Sequence, residues 1–156
     1  MLALNTNQTS GNGGGLYANA GAYLDLQGNI QATSNHADGN GGFVYVSGGS
    51  IFHVDDYLDV KPQIWVNDAD NGGAVYATGS NVYCDGTVFG GGANGNKATS
   101  GNGGAIYASQ ATTISDTTIG GEGVSVGQIA ATRKMCPDRS RLHSPFPRKP
   151  LRTLSR

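Results

Sequence analysis

Gly101-Asn102-Gly103-Gly104-Ala105-Ile106-Tyr107-Ala108 decides the fold, because the chain writes the same phrase three more times. The others are Gly11-Asn12-Gly13-Gly14-Gly15-Leu16-Tyr17-Ala18, Gly39-Asn40-Gly41-Gly42-Phe43-Val44-Tyr45-Val46 and Asp70-Asn71-Gly72-Gly73-Ala74-Val75-Tyr76-Ala77. Their starts lie 28, 31 and 31 residues apart. A recurrence of that length marks a repeat protein in which each unit stacks on its neighbours.

The unit is not helical. Gly, Asn, Ser and Thr fill the spaces between apolar residues, and all are poor in helix interiors. Short β-branched and aromatic runs remain, such as Phe43-Val44-Tyr45-Val46, Ile51-Phe52-His53-Val54, Gln63-Ile64-Trp65-Val66 and Asn81-Val82-Tyr83, each bounded by turn residues. About 30 residues with two or three such strands suit one coil of a parallel β-solenoid. The expected fold is all-β, a right-handed parallel β-helix of three to four coils over residues 1–132, followed by a disordered tail.

Stacking gives each position of the phrase a task. Asn12, Asn40, Asn71 and Asn102 fall above one another at a corner and form an amide ladder. The following Gly pair allows the bend, since glycine takes φ > 0 without steric cost. Alternation sends Leu16, Val44, Val75 and Ile106 inward, with Ala18, Val46, Ala77 and Ala108, and sends Tyr17, Tyr45, Tyr76 and Tyr107 outward. The tyrosines are then an exterior stack about 5 Å apart per coil. At fixed distances beyond the tyrosine come second strands (Tyr23-Leu24, Ile51-Phe52, Val82-Tyr83, Thr113-Ile114) and third strands (Asn29-Ile30, Tyr57-Leu58, Val88-Phe89, Ile119-Gly120).

Gly72-Gly73-Ala74-Val75-Tyr76 and Gly103-Gly104-Ala105-Ile106-Tyr107 resemble the Gly-Gly-Ala-(Ile/Leu/Val) motif of polymorphic outer-membrane protein repeats. More broadly they resemble bacterial surface proteins with right-handed parallel β-helices. The likeness spans roughly residues 5–125, and the companion Phe-x-x-Asn motif is not matched. It implies an autotransporter-passenger-like, often adhesive parent protein, extracellular or on the outer-membrane surface. It supplies no catalytic residues.

Composition changes near residue 132. All 26 glycines precede it. Residues 1–132 carry two lysines against ten acids, a formal charge of −8; residues 133–156 carry eight Lys and Arg against one acid, +7. The tail is Pro/Arg-rich and too poor in apolar residues to fold. It reads as foreign to the repeats, through a frame slip or fusion scar; a basic arm for nucleic acid and an ordinary linker are the weaker alternatives. The rhythm is already running where the chain opens, so three to four coils of a longer protein are expected. No signal-peptide pattern and no ~20-residue apolar span is present. Solenoid ends expose strand edges, which makes self-association a further expectation.

Chemistry-bearing residues are sparse. Asp85 and Asp116 lie 31 apart, each nine residues after a motif tyrosine, and a constant register would stack them as a carboxylate pair of the kind a β-helix polysaccharide hydrolase uses. Exposed turn aspartates are the simpler reading. A uronate lyase finds little support, since residues 1–132 contain no Arg. Asp68 and Asp70 form an oxygen-rich turn that could take Ca²⁺, but without the distal Glu of an EF-hand. Cys84 and Cys136 are too few for a disulfide framework. The Gly runs lack the Lys-Ser/Thr of a phosphate loop. Tyr17, Tyr45, Tyr76, Tyr107 and Trp65 are the binding candidates, for a carbohydrate or a cell-surface protein. The reading is therefore a non-catalytic structural or adhesive module, with a hydrolase or lyase fragment as the alternative.

Overall fold

In the structure, a computed structural model that describes residues 1–90 and 94–120, strands follow one another around a solenoid of about four turns. The first coil holds β1 (Leu2–Asn5), β2 (Gln8–Thr9), β3 (Leu16–Ala18) and β4 (Tyr23–Gln27). The second holds β5 (Ile30–Thr33), β6 (His36–Asn40), β7 (Val44–Ser47) and β8 (Ile51–Asp55). The third holds β9 (Gln63–Trp65), β10 (Asp68–Asn71), β11 (Val75–Thr78) and β12 (Asn81–Asp85). The fourth holds β13 (Val88–Phe89), β14 (Lys97–Ala98), β15 (Ile106–Ala108) and β16 (Thr112–Ser115), and β17 (Thr118–Ile119) opens another. Every fourth strand pairs in parallel, giving four sheets. The coil is thus four-sided, where two or three strands were expected. The tail 133–156, with Cys136, lies outside the described residues.

The interior is a set of columns, one side chain per coil. Leu16, Val44, Val75 and Ile106 stack in register, as do Ala18, Val46, Ala77 and Ala108. Leu24, Phe52 and Val82 form another column, and Leu4, Ala32, Ile64, Phe89 and Ile119 another. At one position of the phrase a large residue stands between small ones. Phe43, fully buried, lies between Gly15 and Ala74, and a Cβ on Gly15 would come within 2.7 Å of the Phe43 ring. Such close complementarity is what lets a narrow solenoid exclude water.

The two glycines after the motif asparagine serve different ends. Gly13, Gly41, Gly72 and Gly103 have φ of 71°, 70°, 58° and 73°, and make the corner. The next glycines do not share that conformation, contrary to the expectation that both bend the chain. They are required by proximity: a Cβ on Gly14, Gly42 or Gly73 would run into the carbonyl oxygen of Gly42, Gly73 or Gly104 in the next coil.

The motif asparagines do form a ladder. Asn12 Oδ1 accepts from the Asn40 backbone N–H at 2.8 Å, Asn71 Nδ2 donates to Asn40 Oδ1 at 2.9 Å, and the Asn102 N–H donates to Asn71 Oδ1 at 2.8 Å. A second ladder, unforeseen, runs from exposed Asn7 through buried Asn35, Asn67 and Asn96. Asn35 donates its backbone N–H and its Nδ2 to Asn67 Oδ1 at 3.0 and 2.8 Å. Asn67 repeats this toward Asn96 at 3.1 and 2.9 Å, and Asn7 toward Asn35 at 3.1 and 2.8 Å. The second amide hydrogen reaches back to the preceding coil, from Asn35 to Leu4 O and from Asn67 to Ala32 O. The residues just before three of them, Thr6, Ser34 and Val66, have φ of 57°, 57° and 56°. Left-handed backbone costs about 1–2 kcal/mol for such residues, which the ladder must offset.

Two departures from constant spacing correct the expected strands. Residues 56–62 contain a five-residue insertion, so Tyr57-Leu58 is no third strand; that place belongs to β9, whose Ile64 pairs with Ala32 and Phe89. The corner after the tyrosine also shortens. Seven residues separate Tyr45 from Phe52, six separate Tyr76 from Val82, and five separate Tyr107 from Thr112, which are register partners. Tyr83 therefore pairs with His53 and Thr113, not with Phe52 and Ile114.

Removing one rung of the buried ladder leaves a buried N–H, an amide and a carbonyl without partners, each worth about 1–3 kcal/mol. Asn67→Leu is expected to destabilise the chain by about 3 kcal/mol or more in urea unfolding, and Asn40→Ala, on the partly exposed ladder, by about 1 kcal/mol. Equal losses at the two sites would contradict this ranking.

Candidate functional site

The outward face of the sheet β3–β7–β11–β15 carries the tyrosine column. Because Leu16, Val44, Val75 and Ile106 must point inward, the intervening residue of each strand must point out. Tyr17 and Tyr45 have ring centroids 5.0 Å apart at 15°, Tyr45 and Tyr76 5.6 Å at 5°, and Tyr76 and Tyr107 4.7 Å at 9°. The rings thus occupy one another's faces, and they present their edges and hydroxyls to solvent in a row. The end ring, Tyr17, is 58% exposed. Burial, reinforced by the neighbouring phenols of Tyr107 and Tyr45, pushes the Tyr76 hydroxyl above its usual value, so it stays a hydrogen-bond donor.

Trp65 does not join this column. It alternates with buried Ile64 on β9, and so projects from the sheet built of β1, β5, β9, β13 and β17. The five aromatic candidates therefore belong to two surfaces.

The carboxylate pair expected from constant spacing is not formed. The shortened corner places Asp85 opposite Ser115. Asp116 sits one residue further, at φ 43°, where its Oδ2 and carbonyl oxygen accept from Lys61 Nζ at 3.3 and 3.2 Å. The acid that does neighbour Asp85 is Asp55, at the end of β8. Partial burial, and then the charge of Asp85, raise the Asp55 carboxyl above its usual range. Cys84 is fully enclosed between Val54 and Ile114, and burial raises its thiol far above the ordinary range. That makes it a small core residue rather than a nucleophile.

Asp68 and Asp70 share the outer face of β10, as their spacing of two requires. Each is engaged within the protein. Asp68 Oδ2 lies 2.6 Å from His36 Nδ1, and Asp70 Oδ1 accepts from Ser100 Oγ at 2.8 Å. Among the described residues no group of three or more His, Cys, Asp or Glu converges as a metal site would. Nor is any helix there long and apolar enough to cross a membrane.

His36 was not singled out in the sequence, where its context looked unremarkable. In register it lies between Gln8 and Asp68, and Lys97 follows Asp68. Its Nε2 is 2.9 Å from Asp38 Oδ1 as well, so one imidazole bridges carboxylates of two adjacent coils. Hydrogen bonds to Asp38 and then Asp68 raise its pKa above the ordinary 6.5. The folded state therefore binds the proton more tightly. The stabilisation is complete below the unfolded pKa and disappears as pH rises through the folded one. The stability advantage of the wild-type chain over His36→Gln should accordingly be full below the ordinary 6.5 and shrink as pH rises above it. An advantage that stays constant or grows with pH would refute the bridge.

No family model matches this chain, and neither a curated protein nor a solved structure matches it.

Proposed function

We propose that the chain is a non-catalytic structural or adhesive repeat module of a secreted or surface-displayed bacterial protein, with the tyrosine column as its contact surface. The observation that carries this reading is the row of four phenol edges repeating at the coil spacing of about 4.8 Å. The faces of the inner rings are already stacked, so the column does not offer the flat platforms on which sugars commonly rest. It offers a line of hydroxyl donors with apolar edges between them. A partner that repeats on a similar length suits this line: an extended polysaccharide with its own hydroxyls, or an extended segment of a cell-surface protein. The bacterial and surface assignment rests on the resemblance of the Gly-Gly-Ala-(Ile/Val)-Tyr phrases. A polysaccharide hydrolase has no specific support here, since Asp85 and Asp116 are not paired.

Binding to immobilised polysaccharides and to an extracellular-matrix preparation tests the reading. Retention of the full chain on at least one surface is expected, and the Tyr45→Leu/Tyr76→Leu variant should lose it at least about tenfold. Each lost ring pair should cost the fold only about 0.5–1.5 kcal/mol, so that variant remains folded. Retention by neither chain, or equal retention by both, would leave the column a staple between coils and overturn the adhesive role.

A further inference from the structure

Residues 56–62 interrupt an otherwise tight corner. The equivalent passages from β4 to β5, β12 to β13 and β16 to β17 use two residues each. Here the chain makes a short antiparallel hairpin in which Tyr57 and Val60 exchange backbone hydrogen bonds, at 3.4 and 3.1 Å. The two residues at its tip, Leu58 and Asp59, have φ of 53° and 60°. That is the turn for which Asn-Gly is preferred, because both positions need left-handed backbone.

The base of the hairpin is built in. Tyr57 lies over the first-coil corner, where a Cβ on Gly28 would come within 3.0 Å of the Tyr57 Cβ. Asp56 lies over the third-coil corner, where a Cβ on Gly86 would approach its Cγ to 2.5 Å. Lys61 ties the other arm to Asp116 in the fourth coil. Glycines beneath and an ion pair beyond thus fix the loop firmly enough to hold a strained tip.

The tip itself gains nothing from the fold. Leu58 is 79% exposed, Tyr57 60% and Val60 43%, three of the nine large apolar side chains exposed among the described residues, gathered in four positions. A leucine held in left-handed backbone and left in water serves neither conformation nor core. Around it stand Asp55, Asp56 and Asp59, with Asp85 beside Asp55, while Lys61, one of the two Lys or Arg residues among those the structure describes, is engaged by Asp116.

We propose that the 56–62 hairpin is a protein-docking element, which inserts Leu58 with Tyr57 and Val60 into an apolar pocket rimmed by Lys or Arg on another protein. A small apolar anchor ringed by charge is the usual layout of an interaction hot spot. The acidic rim selects the partner class. It repels an anionic bilayer, and it repels the same hairpin on a second copy.

The test uses the full chain and a disulfide-constrained peptide library displayed on phage, counter-selected against Leu58→Gly. That substitution suits the backbone at φ 53° and removes only the anchor. Enrichment of peptides that join an aromatic or aliphatic residue to flanking Lys or Arg is expected. They should bind Leu58→Gly at least about tenfold more weakly, lose affinity with added salt, and leave the melting temperature of the variant equal or higher. Three results would overturn the proposal: no Leu58-dependent peptide, Leu58-dependent binding to phosphatidylserine vesicles or to a second copy instead, or a loss of stability in Leu58→Gly that shows the leucine to be structural.

Discussion

One interaction sets the register of everything else: the hydrogen-bonded ladder of Asn7, Asn35, Asn67 and Asn96, buried from Asn35 onward. A solenoid with short strands has few backbone hydrogen bonds per side and many corners. At a corner the backbone N–H turns out of the sheet and needs another acceptor. The asparagine of the next coil supplies it, since its Oδ1 takes both the N–H and the Nδ2 of the coil before. Its own amide then reaches in both directions along the axis. An aspartate would stack charges in the core, and a leucine would orphan the N–H. Only a neutral side chain with an acceptor and two donors continues the pattern indefinitely.

That constraint explains the strain beside it. Thr6, Ser34 and Val66 take left-handed backbone that suits none of them, Thr6 and Val66 least because they are β-branched. The ladder over-determines these corners. Once coils are locked there, the other sides tolerate change: a bulge in β10 beside Asn71, a shortening corner after the tyrosine, and a connection between β8 and β9 of seven residues where the other coils use two.

Much of the fold was legible because the phrase around Asn12, Asn40, Asn71 and Asn102 keeps its spacing to Val44, Tyr45 and their equivalents. Interior and exterior, the exposed amide ladder and the tyrosine stack all followed from it. The buried ladder was not legible, because Asn7, Asn35, Asn67 and Asn96 precede the asparagine of the phrase by five, five, four and six residues. A search at fixed offset passes over them. The same cause misplaced Asp116 opposite Asp85 and turned the Tyr57-Leu58 hairpin into a strand. The His36 bridge was hidden for a different reason. Its partners Asp38 and Asp68 are 2 and 32 residues away, and only coil register brings them to one imidazole. With the interior committed to apolar columns, recognition is left to outward positions and to the inserted hairpin, whose side chains the stack does not dictate.

Amide hydrogen exchange of Asn35 and Asn67 in the full chain, followed by NMR, tests the central claim most directly, because their backbone N–H groups bond only to side-chain oxygens of the next rung. Protection equal to that of the core strand amides of Val44 and Val75, which bond to the backbone of the next coil, is predicted. Exchange at the rate of exposed corner amides, while Val44 and Val75 remain protected, would show that the ladder does not hold the coils together.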